Sequence, residues 1–188
     1  MAGQLWLIRH GETEWSLSGA HTGRTDLPLT ATGEAKASAL APKLAGHGFA
    51  LVLTSPLQRA RRTCELAGLG AAAQLEPNLE EWDYGRYEGL TSDDIHRQRP
   101  GWNPFDDGFP GGETIDQVAS RAEAVIRRAL QANGDVALFS HGHMLRILTA
   151  RWLSLPPGDA RLFALGTASI SKLGYEHITK VISEWNFQ

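Results

Sequence analysis

The chain has 188 residues, 42% of them hydrophobic and 21% charged, with a formal net charge of -3 at pH 7. Those values suit one domain spanning residues 1–188 with enough length to bury a core, and they exclude the basic excess of a nucleic-acid binder. A single cysteine, Cys64, excludes an internal disulfide framework. A thiolate phosphatase is excluded too, because Gly70 stands where its phosphate-binding arginine would be needed.

The first predicted element is a buried strand over 4–8, and it opens into Arg9-His10-Gly11-Glu12-Thr13. A neutral imidazole is a good nucleophile, and an adjacent guanidinium holds phosphate oxygens in its fixed fork. The following glycine lets backbone approach an anion closely. By itself such a pair is also what a solvated strand end carries.

Thr30-Ala31-Thr32-Gly33-Glu34 and the alanine-rich stretch to Leu44 predict one capped helix. A second apolar strand covers 49–54, and Ser55-Pro56-Leu57 predicts a helix with serine as cap and proline at its first position. On that helix Arg59 and Arg62 share a face by their i, i+3 spacing, while Arg61 points elsewhere. Residues 77–112 are rich in Gly, Pro, Asp and Trp and read as a lid-like, loop-rich insert, too aromatic for a solvated tether. A helix over about 114–132, a third strand over 136–140, His141-Gly142-His143, and helical character over 144–153 follow. Strands over 169–175 and 177–185, with Glu176 near the turn, predict a terminal hairpin.

This alternation predicts an α/β fold: a three-layer αβα sandwich with a largely parallel central sheet. Ligands of such sheets gather at the carboxyl ends of the strands. Three of those ends carry polar candidates: Arg9 with His10, Ser55 with Arg59, and His141 with His143. His-x-His beside another histidine and a glutamate is also a zinc spacing. Two arginines converging on the same pocket would repel a cation, so neither a metal nor a cofactor is expected.

Leu7-Ile8-Arg9-His10-Gly11-Glu12-Thr13-Glu14-Trp15, Ser55-Pro56-Leu57-Gln58-Arg59-Ala60-Arg61-Arg62-Thr63, the acid before Tyr84-Gly85 and Ser140-His141-Gly142 together resemble the histidine phosphatase (phosphoglycerate mutase-like) superfamily. The resemblance implies the phosphoglycerate mutase-like fold with the insert over the active site, and metal-independent hydrolysis through a phosphohistidine on His10. It implies that Arg9 and Arg59 bind phosphate, that Glu81 is the proton donor, and that a protonated His141 donates to the phosphate.

Trp15 to Thr30, Glu81-Trp82-Asp83-Tyr84-Gly85-Arg86-Tyr87-Glu88-Gly89 and His141 to Arg146 look most like the fungal sedoheptulose-1,7-bisphosphatase branch. By that likeness Arg9, His21, Thr22, Gly23, Arg59, Tyr84, Gly142 and Arg146 contact substrate, with Arg146 on a distal phosphate of a sugar bisphosphate. His21 stands where the fungal enzymes have tyrosine. A broad-specificity phosphomonoesterase and a phosphoglycerate mutase are the alternatives. The expected partner is a small phosphorylated molecule, with neither nucleic acid nor membrane, and a homo-oligomer is left open. No signal-like segment opens the chain and no stretch reaches roughly 20 apolar residues, so a cytoplasmic location is expected.

Overall fold

The computed structural model describes residues 3–188. In chain order the elements are β1 (Leu5–Arg9), α1 (Glu14–Ser18), α2 (Ala31–Ser38), α3 (Ala41–Leu44), β2 (Leu51–Thr54), α4 (Gln58–Leu66), β3 (Ala73–Leu75), α5 (Ser92–Gln98), α6 (Pro104–Asp107), α7 (Ile115–Leu130), β4 (Val136–Ser140), α8 (Gly142–Trp152), β5 (Ile170–Glu176) and β6 (Thr179–Phe187). The strands form one sheet in the order β3-β2-β4-β1-β5-β6. The pairs β1 with β4, β2 with β4 and β2 with β3 are parallel, and β5 joins β1 and β6 antiparallel.

Side-chain alternation along the strands builds two cores. Leu5 and Leu7 of β1 with Val136 and Leu138 of β4 face one way and pack on α7 and α8 through Val118, Ala122, Val125, Leu145 and Leu148. Trp6, Ile8, Ala137 and Phe139 face the other way and meet Leu40, Leu44, Cys64 and Ala67 around α2, α3 and α4. The result is the expected αβα sandwich, buried on both faces of the parallel strands.

Four local expectations change. The helix expected over 30–44 is two helices, because Pro42 has no N–H to give Ser38 and the chain tightens at Ala39 and Leu40. The helix expected from Ser55 begins at Gln58, whose N–H goes to Asp26 Oδ1 at 2.8 Å; a remote aspartate supplies the cap, and Ser55 Oγ, which accepts from Leu57 N–H at 3.3 Å, also has room for another partner. A fourth parallel strand, β3, not expected from the sequence, pairs with β2 along 73–75. The terminal hairpin turns at His177 and Ile178, with His177 at φ 55.

The insert is a wall of the molecule. Trp82, Trp102, Phe105 and Phe109 are buried in the same core as Leu7 and Leu138. Their indole N–H groups are satisfied locally: Trp82 donates to the Glu113 carbonyl at 2.9 Å and Trp102 to the Gly108 carbonyl at 3.0 Å. The aromatic content of the insert therefore serves packing. No helix among the described residues is long and apolar enough to cross a membrane.

Candidate active site

β1 and β4 lie side by side in parallel register, Arg9 opposite Ser140, so the residues that follow, His10 and His141, leave the sheet together. Their ring centroids are 5.1 Å apart. His10 keeps a strand-like backbone, donating to the Ser140 carbonyl at 3.0 Å and accepting from Ala168 N–H at 3.0 Å. Its Nδ1 lies 2.7 Å from the Gly11 carbonyl. A carbonyl only accepts, so Nδ1 carries the proton and Nε2 keeps the lone pair. Burial, then Arg59 and Arg9, hold the imidazole well below its ordinary pKa. His10 is neutral near pH 7.

Gly11 is glycine for a packing reason. A Cβ there would lie 2.5 Å from the Gly33 carbonyl oxygen, and one on Gly33 would lie 2.1 Å from that of Glu12. The close approach expected to serve an anion is made to α2 instead.

Arg9 lines the cleft beside His10. Its Nη1 donates to the Leu165 carbonyl, and its Nε is buried without a partner. The guanidinium lies along Gly142, where a Cβ would come 3.4 Å from its Cζ. Gly142 also borders the cleft; its lack of a side chain is what admits the arginine.

Arg59 and His141 are fully buried and stand behind the cleft wall. Arg59 Nε donates to His141 Nδ1 at 3.1 Å, Nη1 to the Thr25 carbonyl at 2.9 Å, and Nη2 to those of Gly23 at 2.8 Å and Thr22 at 3.2 Å. Since Nδ1 of His141 accepts, its proton is on Nε2, which donates to Ser55 Oγ at 2.8 Å. Burial, then Arg59, His10 and Arg9, keep this ring well below its ordinary pKa. The protonated His141 expected from the resemblance is thus replaced by a neutral one whose single N–H must come from Ser55 to reach a phosphate. Arg62 sits outside, paired with Glu34 at 2.7 Å and Glu65 at 3.4 Å.

Glu81 is buried and borders the cleft. Oε1 accepts from Trp82 N–H and Met144 N–H, both at 2.9 Å, and Oε2 from His143 N–H at 3.1 Å. Two of these donors belong to the first turn of α8, whose own N-cap residue, His141, gives no side-chain bond. Glu81 is therefore the remote cap of that helix. Oε1 spends its lone pairs on backbone, and Oε2 retains one direction for a proton.

Beyond these groups the cleft, about 210 Å³, is bordered by His21, Thr22, Tyr84, His143 and Arg146. His21 is packed edge-on against Tyr84, Trp102 and Phe109, and burial lowers its pKa to about 4. Tyr84 Oη lies 2.5 Å from His143 Nδ1. Burial foremost pushes the phenol well above its ordinary pKa, and burial followed by Arg146 holds His143 well below its own. Arg146 donates through Nε to the Ala160 carbonyl at 3.1 Å and lies over Phe105, Cζ 4.7 Å from the ring centroid. Its Nη2 reaches the Arg161 carbonyl at 3.4 Å, which leaves Nη1 for the cleft.

Of the residues expected to meet substrate, two do not border the cleft: Arg59, behind its wall, and Gly23. Gly23 is buried, its N–H goes to Glu88 Oε1 at 2.8 Å, and a Cβ there would lie 2.5 Å from the Trp82 carbonyl oxygen. His143 and Ser55, candidates by position at the strand ends but given no role by the sequence reading, each take one up, the first in the cleft wall and the second on His141. His-x-His spacing was the available signal for His143, whereas the capping pattern concealed Ser55. Among the described residues no three His, Cys, Asp or Glu side chains converge as a metal-ligand set.

A family model described as the histidine phosphatase superfamily (branch 1) matches residues 5–188. The chain is 42% identical to an acid phosphatase of Mycobacterium tuberculosis (strain ATCC 25618 / H37Rv), over 93% of this chain and 87% of that protein. It is 34% identical to a probable phosphoglycerate mutase GpmB of Photorhabdus laumondii, over 97% and 89% of the two. It is also 34% identical to the sedoheptulose 1,7-bisphosphatase of Saccharomyces cerevisiae, over 79% and 67%. The solved structure of the open reading frame Rv3214 from Mycobacterium tuberculosis superposes with a TM-score of 0.93 at 37% identity, covering 99% of this chain and 98% of that one.

Proposed function

Because the chain belongs to the histidine phosphatase superfamily (branch 1) and is a phosphoric monoester hydrolase, we propose that it cleaves sugar phosphates through a phosphohistidine on His10, with preference for a substrate carrying a second anionic group. The observation that carries this reading is the tautomer of His10: with Nδ1–H on the Gly11 carbonyl, the Nε2 lone pair is free beside a cleft-facing guanidinium.

In the first step Nε2 attacks phosphorus as the ester P–O bond breaks, and the proton on Glu81 Oε2 passes to the leaving alkoxide oxygen. A sugar alkoxide is a poor leaving group, so this transfer is needed. In the second step water attacks phosphorus, Glu81 takes a proton from that water, the P–N bond breaks, and His10 returns with its lone pair. Arg9 holds the phosphoryl oxygens, and His141 and Arg59 stabilise the charge from behind. No step calls for a metal ion.

Arg146 supports the second anionic group. It is fixed by two carbonyls and a ring face with Nη1 still free, and an arginine fork away from the reacting phosphate suits a distal phosphate. The likeness to the yeast bisphosphatase leans the same way.

Rapid-quench trapping tests the core of the reading. With a sugar bisphosphate labelled in the scissile phosphate, an acid-labile, alkali-stable phosphoenzyme should form and be absent from His10→Ala. Turnover without any such species would overturn it. A release panel of sugar bisphosphates, monophosphates and phosphoglycerates, repeated with chelator, separates the substrate classes. Isomerised phosphoglycerate without free phosphate would favour a mutase.

A further inference from the structure

Glu88 is a half-buried residue with no place in the chemistry described. Its Oε1 accepts from Gly23 N–H at 2.8 Å and Thr25 N–H at 3.0 Å, and its Oε2 is buried without a partner. The carbonyls of the same short segment, those of Thr22, Gly23 and Thr25, all accept from Arg59. Segment 22–25 is thus gripped on its N–H groups by a carboxylate and on its carbonyls by a guanidinium. Neither a helix nor a sheet ladder holds it. From Arg59 the chain of contacts runs on through Nε to His141 and from there to Ser55.

We propose that Glu88 is a positioning residue that sets Arg59, and through it the ring of His141, by holding the peptide groups of residues 22–25. A buried guanidinium without a counter-charge is costly. Bound directly to a carboxylate, it would have to give up that ion pair to take up phosphate. Glu81 and Asp26 offset this charge without touching it, and Glu88 adds to them from one peptide layer away. Arg59 is neutralised at a distance and its immediate partners stay neutral, so an arriving phosphate competes only with carbonyl oxygens and an imidazole nitrogen. The peptide dipoles of the segment are aligned by both charges, which strengthens the grip at each end.

This inference rests on the proposed roles of Arg59 and His141, and its test separates the two. Long-range proton–nitrogen correlation spectra of the substrate-free enzyme read the His141 tautomer without turnover. Wild type should show Nε2–H with an accepting Nδ1, and Glu88→Ala should show a mixture of tautomers. In parallel, kcat should fall about 100-fold in Glu88→Ala, the scale of a misplaced catalytic group, and inhibition by orthovanadate should weaken. Glu88→Gln keeps an oxygen for the two N–H groups and removes the charge. It should keep the tautomer, fold as wild type and lose about tenfold in kcat, recovering about half of the alanine defect on a logarithmic scale.

An unchanged His141 spectrum in Glu88→Ala overturns the proposal, whether or not turnover falls. So does a changed spectrum with kcat within twofold of wild type. Absence of a phosphoenzyme in wild type would instead remove the proposed chemistry and leave the spectral result standing.

Discussion

Lowering the pH should unfold this protein steeply, because four histidines are held neutral inside it. His10, His141 and His143 lie well below the ordinary pKa of 6.5 and His21 falls to about 4, each by burial foremost. In the unfolded chain all four return to about 6.5. The folded pKa values are the lower ones, so the unfolded state binds more protons between about pH 4 and 6.5. Stability is therefore complete above that range and lost as the pH falls through it. At pH 5.5 an unfolded histidine carries about 0.9 proton and a buried neutral one almost none, so the four together take up about 3.6 protons on unfolding. The slope is about 5 kcal/mol per pH unit, and the accumulated loss from pH 7 to 5.5 is about 5 kcal/mol. That equals the whole stability of many domains. Urea midpoints measured at pH 7, 6 and 5.5 in a buffer free of phosphate should track this loss. Proton uptake on unfolding, followed with an indicator dye, counts the groups directly, and His21→Phe should remove about 0.9 of them at pH 5.5. An uptake below one proton at pH 5.5 would refute the reasoning.

Glu81→Gln should lower kcat on sugar phosphates by about 10² to 10⁴, the range for loss of general acid catalysis; p-nitrophenyl phosphate, whose leaving group needs no proton, should lose far less, and equal losses on both esters would remove Glu81 as the acid. Arg146→Ala should raise KM for bisphosphates about 10- to 100-fold beyond its effect on monophosphates, as expected for a charge-assisted hydrogen bond; steady-state kinetics on matched pairs decide it. Gly11→Ala should destabilise the fold by more than about 2 kcal/mol, because its Cβ would press to 2.5 Å from the Gly33 carbonyl oxygen; a thermal midpoint equal to wild type would contradict the contact.

Where the sequence is its own environment, it could be read. β1 and β4 show as apolar runs because both faces of those strands are buried, and His10 and His141 follow directly from where the runs end. Signals fail where a distant residue decides. Asp26 caps α4 across the surface, so Ser55 could not be recognised as the partner of His141. β3 has three residues with two of them exposed, and pairing with β2 holds it where its own side chains do not. Arg59 was legible by motif as a candidate for phosphate. That its N–H groups rest on the carbonyls of residues 22–25 depends on Glu88, 63 positions beyond Thr25, and no local pattern announces such a contact. The insert was legible as packed material from its tryptophans, while the packing of its Phe105 beneath Arg146 was not.

The 5.1 Å between the rings of His10 and His141 is close to the spacing of neighbouring strands, about 4.8 Å. The backbone ladder between β1 and β4 acts as the ruler for the two histidines proposed to act on phosphate. A ruler made of peptide groups is indifferent to side chains elsewhere, and the surfaces that would recognise the alcohol, among them His21 and Tyr84, lie on a loop and an insert attached to it. Selection can therefore rewrite what the enzyme accepts without recalibrating how it reacts.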